Sequence, residues 1–438
     1  VALSERWWRR AVPATPQELA AALWSFAYFF ALLASYYVLR PLRDQMGIAG
    51  GIKALPWLFT ATFVTLLVAQ PIYGALVAKL TRARFIPIVY HFFAFNLLVF
   101  WGLLTLGIAP VIVARVFFVW VSVFNLFAVA VFWSFMADLF TSEQGKRLFG
   151  FIGAGGTAGS LLGPVITIAL AVRLGPQHLL LAAFVFLELA VFCAHRLERG
   201  AGAVQREQGA QGAQHLREDR QSVGGGAFAA FWSVLRSPYL LGVAAWVSLL
   251  SFGATTLYFA QANVVAAAVH GAGAQTRIFA SVDLAVGLLS LATQVFATGH
   301  LLKRFGTGVA AAALPAVYVV GFAVLAAVPS LMVVLVFQVA QRWMNFAIAN
   351  PARHLFFTVV EREEKYKAKN MIDVVVYRGS DALYGWVFDT VQALGLKLGA
   401  IALCALPVAV AWLILSSALG RVQERRAVRL ANLVAREA

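Results

Sequence analysis

Apolar positions in this chain come in long blocks. Runs of about 20 residues with few charges, enough to cross roughly 30 Å of hydrocarbon as a helix, recur at 19–40, 55–78, 85–106, 109–138, 150–172, 179–196, 239–262, 277–299, 307–328, 330–355, 371–391 and 396–418. They predict twelve transmembrane helices. The first block is too long for the core of a cleaved signal peptide and reads as a true span. The pattern breaks at "LERGAGAVQREQGAQGAQHLREDRQSVGGG" (197–226), which is polar, rich in Gly, Gln and Ala, and holds no apolar period. It reads as a flexible cytoplasmic connector. The expected organisation is a cytoplasmic segment 1–18, a six-helix bundle 19–196, the connector 197–226, a second six-helix bundle 227–419 and a basic tail 420–438.

The bundles echo each other. At an offset of 220 residues Asn125 matches Asn345, Glu143 matches Glu363, and Gly159-Ser160 matches Gly379-Ser380. At an offset of 225, "GALVAKLTRAR" (74–84) faces "GHLLKRFGTG" (299–308). Repeated matches in corresponding helices and loops indicate internal duplication, a frequent property of secondary transporters. The fold expected is therefore an all-α integral membrane protein of two pseudo-symmetric six-helix halves.

Composition agrees and charge orients the picture. The chain is 61% hydrophobic and 12% charged over 438 residues, far from a soluble domain. A net charge of +16 would suggest nucleic acid in a soluble protein. With the N-terminus inside, however, most Lys and Arg fall on cytoplasmic loops. Only Arg40, Arg43, Lys53, Arg173, Arg277 and Lys397 fall on the far side. This is the positive-inside bias; it puts both termini in the cytoplasm, fits a bacterial inner membrane and makes nucleic acid no partner. Cys193 and Cys404, alone inside spans, are packing residues.

Six plus six spans with a long central loop resemble the major facilitator superfamily. Gly74, Leu76, Lys79 and Arg82 fit that superfamily's loop signature G-x-L-x-D-R-x-G-R, with Ala78 in place of its aspartate. Gly150, Gly159, Gly163 and Pro164 follow its antiporter motif, whose closing glycine pair is Thr167-Ile168 here. The stretch "EREEKYKAKNMIDVVVYRGSD" (361–381) resembles the ATP/ADP translocases of plastids and intracellular bacteria and their bacterial relatives. The resemblance implies alternating access by two rocking bundles, spans 1, 4, 7 and 10 around a central cavity, and a nucleotide as the leading cargo.

Charges inside spans are costly and mark cavities or partners. Span ten carries Gln338, Arg342, Asn345 and Arg353 on one helical face; span four carries Arg115, Ser122 and Asn125. Arg40 and Arg43 close span one beside Tyr36, where Pro41 can kink the helix. Gln261 and Asn263 end span seven. Together they suggest a cationic pathway binding an anion, since guanidinium offers a fork of donors to phosphate or carboxylate. The plainer alternative is that each arginine pairs with an acid and only holds helices together. Asp44 is the acid nearest Arg40, and would leave Arg43 free. Arg378 and Asp381, three apart in span eleven, suit a structural or gating clamp, and Arg353 can snorkel. Proton coupling would fall to Asp283, Glu188 or Asp381, while Glu363, Lys365 and Lys367 could latch the cytoplasmic ends. His91 and Asn96 read as helix–helix hydrogen-bonding residues.

"GFIGAGGTAGSLLGP" (150–164) lacks the G-K-[ST] ending and preceding strand of a phosphate loop. Gly155, Gly159 and Gly163 instead form a small-residue seam. The tail 421–438 is basic and amphipathic, suited to lipid headgroups. No nucleophile–base set or metal-ligand spacing points to an enzyme, no cofactor is implied, and a monomer suffices. The expectation is a secondary transporter of an organic anion, working by exchange. The alternatives are a proton-coupled carrier of a peptide, siderophore or drug, and a non-transporting scaffold or receptor.

Overall fold

The computed structural model describes residues 16–79, 82–218, 234–360, 368–369 and 371–437. Twelve long helices follow in chain order: α1 Pro16–Ala49, α2 Leu55–Lys79, α3 Arg82–Thr105, α4 Pro110–Leu139, α5 Ser142–Leu170, α6 Leu179–Glu218, α7 Pro238–Ala268, α8 Ala272–Phe296, α9 Thr298–Ala327, α10 Leu331–Met344, α11 Tyr377–Ala393 and α12 Leu398–Glu437. Among the described residues, eleven helical segments are long and apolar enough to cross a bilayer. The one outside that set is α11, whose Arg378, Asp381 and Asp389 depress its hydropathy.

Helix starts are written locally. Thr141 accepts from the Gln144 amide while the Gln144 side chain accepts from the Thr141 amide, a reciprocal cap for α5. Ser237 caps α7 and Ser330 caps α10. Gly306, at φ 75°, breaks the first turns of α9 from the rest.

Two expectations change at the helix ends. α6 does not stop near 196 but runs 40 residues to Glu218, so the first part of the expected connector is helical; residues 219–233 lie outside the described residues. The basic tail likewise continues α12, also 40 residues, rather than forming a separate surface helix. No proline follows Pro407, so nothing turns the chain.

The chain divides into two compact units. Unit 1 holds residues 1–50, 64–222 and 271–284; unit 2 holds 51–63, 223–270 and 285–438. In unit 1, α1 packs on α4, α5 and α6, while α3 packs on α4 and α6. In unit 2 the same scheme recurs, with α7 on α10, α11 and α12 and α9 on α10 and α12. Matching helix pairs are what a duplicated half would produce.

The seam anticipated in α5 is present. A Cβ on Gly159 would lie 2.2 Å from the Phe30 carbonyl oxygen, and one on Gly155 2.4 Å from that of Phe26. Only glycine allows α1 and α5 this near. Elsewhere polar links bridge helices that are otherwise greasy. Tyr28 donates to Tyr90 (2.7 Å), which donates to the Ala128 carbonyl (3.1 Å), tying α1, α3 and α4. In unit 2 Trp246 donates to Ser416 at 2.8 Å, and Tyr318 to the Gln341 side chain at 2.9 Å.

Candidate functional site

Unit 1 gathers its charges where α1 ends. Arg43 donates twice to Asp44 Oδ1, at 3.0 Å from Nε and 2.6 Å from NH2, and its guanidinium lies over the Phe118 ring. Arg40 instead faces Asp283 of α8, at 3.8 Å. The pairing is thus the reverse of the spacing-based expectation: Asp44 holds Arg43, and Arg40 reaches an acid distant in sequence. Asp283 is 2% exposed. Arg40 stacks over Tyr37 and keeps a partly accessible guanidinium.

Arg115 does not sit at mid-span. It lies a turn and a half into α4, where its Nε donates to the Gly50 carbonyl at 2.7 Å. A Cβ on Gly50 would touch the Arg115 side chain at 3.0 Å. Arg115 therefore ties α4 to the end of α1. Asn125 is half-buried farther along α4. Glu188 lies 3.6 Å from His91 Nε2 in a partly exposed α3–α6 pair. Asn96 donates to its own helix, at the Phe92 carbonyl.

Unit 2 carries a different constellation. Past Met344 the helix widens into a π-turn, Asn345–Ala349, before Asn350–Phe356 resumes α geometry. Pro351 gives the cause, since it lacks an amide and its ring crowds the carbonyl four residues back. Such π-turns concentrate at functional positions. Arg342 is half-buried at the last turn before it. Asn345 Oδ1 is buried with no hydrogen-bond partner among the described residues. Gln338 accepts from Gln341 at 3.1 Å, extending the chain from Tyr318, so both amides are part of the core network.

On α7, Gln261 is 3% exposed and its Nε2 has no hydrogen-bond partner among the described residues. Asn263 donates to the Phe259 carbonyl and accepts from Gln392. Buried amide groups left bare are uncommon and invite a ligand or water.

The acid of α11 is well supplied. Asp381 accepts from Ser251 at 2.5 Å, Thr255 at 3.2 Å and Arg378 at 3.3 Å, the last being the expected i,i+3 pair. Ser380 donates to Ser248, which also meets the Tyr384 hydroxyl at 3.0 Å. Ser248, Ser251 and Thr255 were not singled out by sequence, though their spacings of three and four on an apolar span mark one face. A second π-turn, Met371–Val376, precedes α11, and its Asp373 lies 3.4 Å from Arg353. Arg353 is paired rather than snorkelling. Glu363, Lys365 and Lys367 lie outside the described residues.

Two six-helix repeats with ion pairs and bare amides inside apolar helices define a multi-pass membrane carrier fold. A family model described as Major Facilitator Superfamily matches residues 14–359; the chain belongs to the Major Facilitator Superfamily. Among solved structures it is similar to a bacterial homologue of the iron transporter ferroportin in the inward-facing state, with TM-score 0.63, 12% identity, and 94% of this chain and 99% of that one covered. It is also similar to a POT family transporter in complex with a thioalcohol-conjugated peptide, with TM-score 0.60, 11% identity and coverages of 93% and 96%. A bacterial homologue of the human lysosomal transporter Spinster gives TM-score 0.52, 13% identity and coverages of 95% and 98%. At such identities the likeness is one of fold. A comparison with curated protein sequences gives no match.

Proposed function

We propose that this protein is a secondary transporter of an organic anion, with a nucleotide or related phosphorylated metabolite as the cargo and exchange as the mode. The observation that carries this reading is the α10 strip: Arg342, half-buried inside a span, beside the bare Asn345 acceptor and a π-turn. A guanidinium there is costly in hydrocarbon and finds its use in binding negative charge. The 361–381 resemblance makes a nucleotide the leading cargo among anions. The bias of Lys and Arg toward one set of loops supports both termini in the cytoplasm and the end of α1 on the outer side.

The test is uptake of labelled nucleotides and phosphorylated metabolites into proteoliposomes, with and without counter-substrate inside. Internal counter-substrate is expected to accelerate uptake, and Arg342→Ala to reduce it at least tenfold. Uptake of a peptide or drug driven by an imposed proton gradient and lost in Asp381→Asn would instead favour proton coupling. That second reading draws on the buried Asp381 and its three donors. A wild-type protein that moves no anion in the panel sinks the first.

A further inference from the structure

Both units take in a short segment from the other half of the sequence, and the two are held by different chemistry. Residues 51–63 sit in unit 2 through neutral contacts: Trp57 lies edge-on to Trp386, whose Nε1 donates to Thr60, and Phe59 packs on Phe259. Residues 271–284, the outer half of α8, sit in unit 1, where a Cβ on Gly273 would lie 2.6 Å from the Ala171 carbonyl oxygen. The segment also buries Phe279, Ala280 and Val282, and it has one ionic anchor, Asp283 facing Arg40. Beyond Leu284 the same helix belongs to unit 2.

Arg40 and Arg43 are one turn apart but differ in what they have left to give. Arg43 has two hydrogen bonds to Asp44. The Arg40–Asp283 separation of 3.8 Å is an ion pair too long for a hydrogen bond. Among the described residues Arg40 makes no hydrogen bond: it has the Asp283 ion pair, the contact with the Tyr37 ring and, at longer range, the fields of Tyr36 and Asp44. Five donors in a fixed fork are thus charge-balanced yet unused, on a guanidinium with 18% of its side chain accessible beside a carboxylate with 1%. An anion approaching from the open side meets donors, whereas Asp283 offers only opposite charge.

From this we infer that Asp283 is a resident, displaceable counter-ion: the acidic group of the substrate takes over Arg40 and releases the outer half of α8 from unit 1. The inference rests on the anion-carrier reading and adds to it a docking residue, Arg40 rather than Arg43, and a ligand group with at least two oxygens, as in phosphate or diphosphate. An anion can address this segment because one of its anchors is an ion pair. The aromatic contacts of 51–63 offer no such handle.

The experiment uses purified full-length protein and inorganic pyrophosphate as the probe, titrated calorimetrically. Asp283→Asn removes the competitor and is expected to tighten pyrophosphate binding about five- to tenfold. Asp283→Glu, which keeps the charge, should restore the wild-type Kd, and adding Arg40→Ala to Asp283→Asn should abolish the gain. In a background lacking Cys193 and Cys404, a cysteine replacing the buried Gln275 should react with maleimide several-fold faster when Asp283→Asn is present or pyrophosphate is added. Binding that is unchanged or weaker in Asp283→Asn, or labelling that does not change, would overturn the displacement alone. If neither wild type nor variant binds pyrophosphate, the displacement falls, and the anion reading falls with it once the transport panel is also blank.

Discussion

A single hydrogen atom at residue 159 sets how near α1 and α5 can come. Gly159→Ala would put a methyl group 2.2 Å from the Phe30 carbonyl oxygen, a backbone atom that cannot swing aside. Overpacking of this kind costs about 1–3 kcal/mol, so the variant is expected to unfold earlier in detergent. Gly153→Ala is the control: its Cβ would meet nothing within 4 Å, and a helical alanine should leave stability equal or higher. Matching midpoints for the two variants would refute the seam. This feature was legible because glycines at fours imply contact whatever the neighbour is. The partners of Arg40 were not. Spacing along one helix offers only neighbours a turn away, so Asp44 was the visible acid. Asp283 lies on a helix whose position depends on the packing of the whole half.

Among elements, α10 is where regular geometry yields. Its apolar period marks a span, but period alone gives no sign that the helix widens over Asn345–Ala349. Pro351 was the available signal, because a proline inside a span must be accommodated by the preceding turn. Removing Ile348 should turn the wide turn into an ordinary one. Because the wide turn accommodates one extra residue, everything beyond it would keep its bearing to Arg342, and the variant removes the π-turn alone. The expected outcome is a protein that still purifies and melts near the wild-type temperature but has lost transport. Retained uptake would show that the π-turn has no part in the cycle. The hydroxyl cluster of α7 with Asp381 was half visible: the Arg378–Asp381 pair followed from its spacing, whereas Ser251 and Thr255 met that acid only once the helices had packed.

At the level of the whole molecule, twelve apolar blocks and the offset echoes sufficed for the superfamily fold, since hydrocarbon permits few ways to satisfy a buried backbone. The exchange of segments was invisible, because it concerns which half a helix packs against. It has a consequence for expression. A fragment of residues 1–218 lacks 271–284, and a fragment of residues 234–438 lacks 51–63, so each is short of part of its own compact unit. Separately expressed, both are expected to aggregate or be degraded; co-expressed, they should co-purify. Stable, monodisperse fragments made alone would show that the exchanged segments contribute little.

The last helix offers a practical handle. Forty residues of α12 make a rod of about 60 Å at 1.5 Å per residue, roughly twice the hydrocarbon thickness. Half of it therefore stands clear of the detergent belt. A soluble domain spliced onto it in helical phase would share its bearing, giving particle images an external landmark by which to orient an otherwise featureless micelle.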